Sequence, residues 1–99
     1  MDTLTKFRVW KVVLGKKHQT LVFQILVLRP VSIKAAVDAA ADYVLQAVPH
    51  GTYEESISPL IGPDDIDPIR RLVLDEKYVY WVVPVKRFLD GPEPVKVNS

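Results

Sequence analysis

Two histidines are the first side chains to question about catalysis, because imidazole is the group whose ordinary titration lies closest to neutral pH. His18 lies in the stretch Gly15-Lys16-Lys17-His18-Gln19, and His50 lies between Pro49 and Gly51. Neither neighbours a serine in a pattern that would make it the base of a nucleophile. A histidine just beyond a helix also has a structural role, since its cation complements the exposed carbonyls there. The chain has no cysteine. That removes a thiolate nucleophile, a thiolate zinc site and a disulfide-stapled secreted scaffold together.

Carboxylates are the next candidates. Asp64, Asp65 and Asp67 are of the type that calcium and magnesium prefer. The calcium-loop pattern also needs a glycine and a distant glutamate at fixed offsets, and both are missing, so a solvated turn is the better reading. Glu54 and Glu55 are adjacent; in a strand they point to opposite faces and cannot work as a paired acid and base. The four glycines, at positions 15, 51, 62 and 91, are too scattered to form a phosphate loop. These residues give no catalytic set, no metal site and no cofactor site, no small-molecule substrate is evident, and the expectation is a protein that is not an enzyme.

Aromatic residues among basic ones suggest a different chemistry. Trp10, Tyr78, Tyr80 and Trp81 fall near Lys6, Arg8, Lys77, Lys86 and Arg87, and sheets that stack bases and hold phosphates use such a mixture. Against this, the formal net charge is only +1, no RNP-type run is present, and aromatics are good strand formers whether or not they bind anything. The charge is uneven along the chain. Residues 1–34 carry Lys6, Arg8, Lys11, Lys16, Lys17, Arg29 and Lys34 against Asp2 alone, whereas residues 35–67 carry seven acids and no Lys or Arg. A basic hairpin is thus followed by an acidic middle.

The elements that must position these side chains follow from periodicity. Lys6 to Leu14 alternates, with Phe7, Val9 and Val13 on one face and Lys6, Arg8, Trp10, Val12 and Leu14 on the other. Residues 15–19 suit a hairpin connection, and a second strand runs from Thr20 to Arg29 with both faces apolar apart from Gln24. Pro30 ends it, Ser32 is placed as an N-cap, and a helix is expected over Ile33 to Val48, with a stripe of Ile33, Ala36, Val37, Ala40, Val44, Ala47 and Val48. Thr52 to Ile61 reads as a short strand. Leu72 to Leu74 and Lys77 to Arg87 read as a second hairpin, in which Pro84 argues for a solvent border or a bulge.

The predicted fold is an α+β domain over residues 1–90, in the order β-β-α-β-β-β, with an antiparallel sheet of four to five strands and one helix on one face; residues 91–99 are expected as a loose tail. No apolar run approaches the roughly 20 residues of a membrane helix, and Met1 to Phe7 does not have the form of a signal peptide, so a soluble cytoplasmic chain is expected. The second strand and Tyr78 to Val85 both lack a polar side, whereas a half-solvated antiparallel sheet alternates. One helix covers one face. The expectation is therefore a small non-enzymatic interaction protein, an accessory or adaptor for which a phage or mobile-element origin would suit, acting through an apolar sheet face as a homodimer or on a protein partner. Its interaction residues are predicted as Trp10, Phe23, Tyr78, Tyr80 and Trp81. The alternative is nucleic-acid binding through the basic hairpin, with Lys6, Arg8, Lys16 and Lys17 as contacts.

Overall fold

The computed structural model describes residues 5–13, 15, 19–48, 52–55, 70–73 and 78–99. The hairpin of β1 (Lys6–Val13) and β2 (Gln19–Leu28) leads into helix α1 (Ile33–Ala47), followed by β3 (Thr52–Glu55), β4 (Arg70–Val73), β5 (Tyr78–Val85) and β6 (Val95–Asn98). The strands form a single sheet in the order β3-β4-β5-β1-β2-β6. All neighbours are antiparallel except β2 and β6, which run parallel. The α+β class and the first five strands follow the expected order. The sixth strand is new: where a loose tail was expected, Val95 to Asn98 pairs with Ile25 to Leu28.

The apolar alternation of β1 determines which face the helix covers. Phe7 and Val9 stand opposite Ile25 and Phe23 on β2 and opposite Pro84 and Val82 on β5. Phe7, Val9, Ile25, Val27, Tyr80 and Val82 form one buried cluster with Ala36, Val37, Ala40 and Val44 of α1. Alanine at positions 36, 40 and 41 lets the helix axis approach the sheet closely, so the valines at 37 and 44 reach the strands. Burying such a valine contributes roughly 1.5–3 kcal/mol. Two members of the expected stripe do not take part: Ile33 is 55% exposed and Ala47 is exposed, whereas Val48 packs half-buried against the core.

The helix begins where Ser32 Oγ accepts a hydrogen bond from the Ala35 amide at 3.0 Å. The turn out of β2 uses Arg29 at φ 52°, a left-handed conformation that costs a side-chain-bearing residue roughly 1–2 kcal/mol. Within the hairpin the register shifts between Val9, which faces Phe23, and Trp10, which faces Leu21. Val22 is the extra residue of a bulge, and it swings the two halves of β2 relative to β1. Pro84 lies inside β5 and is buried, not on an outer edge as its residue type suggested. Among the described residues β4 pairs with β5 only as far as Val82, and Pro84 lies two residues beyond, opposite Phe7 of β1.

The opposite face of the sheet is not bare. After β5 the chain crosses it as a strap, residues 86–94, to reach β6 on the far side of β2. Arg8 Nη2 donates to the Arg87 carbonyl at 2.8 Å. Gln24 Nε2 donates to the Leu89 and Pro92 carbonyls at 2.8 and 2.9 Å, and the Leu89 amide donates to Gln24 Oε1 at 2.8 Å. Arg8, Gln24, Val83 and Val85 are buried on that face. Gly91, at φ 146°, lets the strap turn where it passes Leu21. The strap thus holds the sheet by side-chain to backbone hydrogen bonds, whereas the helix holds it by apolar contact.

Candidate interaction surface

The aromatic residues expected to form one interaction surface are divided between the two faces. Phe23, Tyr78 and Tyr80 lie on the helix side. Tyr80 is buried in the core, and Phe23 meets Tyr43 of α1 edge to face, with ring centroids 5.7 Å apart at 89°. Tyr78 is half-buried beneath the Lys11 ammonium, 4.2 Å from the ring centroid. Trp10 and Trp81 are half-buried and stand opposite each other on β1 and β5, on the other face. The structure brings that pair together and separates it from the other three. The Trp10 indole Nε1 is enclosed with no acceptor among the described residues.

The basic candidates fare differently. Arg8 is fully buried beneath the strap, so it cannot reach a phosphate; its role is to anchor the chain. Lys6 is half-buried at the start of β1. Lys16, Lys17 and His18 lie outside the described residues, as do His50 and the acids Asp64, Asp65 and Asp67. Among the described residues no group of three or more His, Asp or Glu side chains is placed to hold a metal ion, and no helix is long and apolar enough to cross a membrane.

A feature that the sequence reading missed lies at the β6 end of the sheet. Between α1 and β6 is an open groove of about 500 Å³. Its helix wall is one continuous stripe, Ala35, Asp38, Ala39, Asp42, Tyr43 and Gln46, spaced by three and four residues so that these positions share a flank. Its other wall is Val97, Asn98 and Ser99. Alanine at 35 and 39 leaves the space, while Tyr43 is held by Phe23. The rim is acidic. Asp38 lies 3.1 Å from the Lys34 ammonium one turn earlier, Asp42 is exposed, and the last turn of α1 carries no basic residue to offset the carbonyl end of the helix.

The backbone of β6 supplies the rest of the groove. The Ser99 amide donates to the Leu28 carbonyl at 3.3 Å, so residues of that parity turn their polar groups toward β2. Strand geometry alternates. Lys96 and Asn98 therefore turn their N–H and C=O groups outward, and among the described residues no strand lies beyond them. The chemistry available here is recognition: an edge strand with outward backbone groups, beyond which no strand lies among the described residues, beside an apolar floor with an acidic rim. Compared with known proteins, the chain matches no family model, no curated protein and no solved structure.

Proposed function

We propose that this chain is a small non-enzymatic interaction module that takes a partner polypeptide at the β6 end of its sheet. The observation that carries the reading is the groove of about 500 Å³ between α1 and β6, an opening beside an edge strand of the kind to which extended peptides add. A bare sheet face does not carry the interaction, because residues 86–94 cross that face and bond Arg8 and Gln24. The interaction reading now rests on an edge. Phe23 and Tyr43 serve as its supporting wall, and Trp10, Tyr80 and Trp81 lie elsewhere.

The test is a selection of displayed nine-residue random peptides on the full chain, with retained peptides measured against a Lys96→Pro variant. Proline at 96 removes only an outward-facing donor, so the pairing of β6 with β2 persists. Retained peptides are expected to lose at least tenfold in affinity for the variant while its melting temperature holds. Peptides that bind both proteins equally would overturn the reading. Salt-sensitive binding of single-stranded DNA or RNA at physiological ionic strength would favour the nucleic-acid alternative through the basic hairpin instead.

A further inference from the structure

The reading above leaves the partner's chemistry open, and the groove narrows it. We infer that the occupant is an extended segment with lysine or arginine at alternate positions, lying as a seventh strand beside β6 with its cationic side chains directed at Asp38 and Asp42. This rests on the groove being the binding surface.

Three observations support the inference. The outward N–H and C=O groups of Lys96 and Asn98 call for an extended backbone, since only a strand presents matching groups at that spacing. In such a strand every second side chain lies on the helix side of the sheet, where Val97 packs against the core, and so enters the groove. The aliphatic stem of a lysine or arginine suits the alanine wall at 35 and 39, and its head reaches the rim. The rim already takes an ammonium: Lys34 Nζ sits 3.1 Å from Asp38 Oδ2 in an exposed pair. The absence of a basic residue in the last turn of α1 leaves a partial negative charge at the Gln46 end of the same groove. A second copy of the chain fits less well. Two β6 edges paired about a two-fold axis would bring the two acidic rims side by side, and like charges facing across strands repel.

The experiment uses the peptides selected on the full chain, fluorescein-labelled, each with a partner in which Lys and Arg are replaced by Glu. The selected peptides are expected to carry alternate basic residues and no central proline. Their affinity should fall at least tenfold on an Asp38→Lys, Asp42→Lys double variant, and the Glu-substituted peptides should gain on it. The unchanged melting temperature of that variant is the folding control. Amide exchange at Lys96 and Asn98 should slow when peptide binds. Peptides that depend on an intact β6 edge but show no preference for basic residues would overturn this inference and leave the groove reading standing. Peptides indifferent to both Lys96→Pro and the charge reversal would overturn both. A dimer that Lys96→Pro converts to monomer would show that a second copy occupies the edge.

Discussion

The two faces of the sheet are covered by different means. On one, α1 buries valines and alanines against Phe7, Val9, Ile25 and Val82, and the contact is spread over many small apolar groups. On the other, a strap without helix or strand is held at two polar points, Arg8 and Gln24. Dispersed apolar contact tolerates local change of shape and fails as a whole when a charge enters it. Point anchoring confines damage, because each anchor satisfies particular backbone groups and its loss acts on those groups first.

Substitutions can break this comparison, and the largest effect belongs to the helix face. Val44→Asp places an unpaired carboxylate in the core, and the folded state should lose more than about 4 kcal/mol; denaturant titration would show a chain largely unfolded, and an unchanged midpoint would refute the apolar account. Gln24→Leu keeps similar bulk but leaves the Leu89 amide and the Leu89 and Pro92 carbonyls without their partner, for a loss of about 2–3 kcal/mol. Its signature is local. Amide exchange of Ser99, which bonds Leu28, should accelerate while amides of β1 and β5 keep their protection.

Two smaller changes sharpen the contrast between the elements themselves. Gly91→Ala forces a side chain onto a backbone at φ 146° and should cost about 1–2 kcal/mol. The added methyl would meet Leu21 Cδ2 only at 3.5 Å, an ordinary contact, so repacking variants at Leu21 should not rescue it. Ser32→Ala removes the cap from the Ala35 amide and should cost about 1 kcal/mol, read as a lower thermal midpoint. A cap loss larger than the Gly91 loss would mean that the strap is less constrained than its dihedral angle implies.

The helix face was legible because its signals are local: alternation in Phe7-Arg8-Val9, the Ser32 cap and the spacing of Ala36, Val37, Ala40 and Val44 all act within a few residues. The strap was not, because its anchors join Arg8 to residue 87 and Gln24 to residues 89 and 92. Gln24 read as an interruption of an apolar run, yet it is the residue that determines where the chain crosses. The same distance hid the groove. Asp38 and Asp42 fall outside the apolar stripe expected of the helix, and they line a groove only because β6 comes to rest beside them. Val95-Lys96-Val97 does alternate, but four residues after two prolines are too short a signal to outweigh a tail.

The parallel strand at the end of the chain also guards against aggregation. Without it the sheet would end on β2, ten residues long and apolar except at Gln19, Thr20 and Gln24, the type of edge on which copies of a protein add to one another without limit. β6 covers the Ile25–Leu28 part of that edge and presents in its place four residues carrying Lys96 and Asn98, long enough to hold one short extended segment and too short to template a fibril. Cutting the chain after Val85 should therefore do more than lower stability: the shortened chain should precipitate at concentrations where the full chain does not.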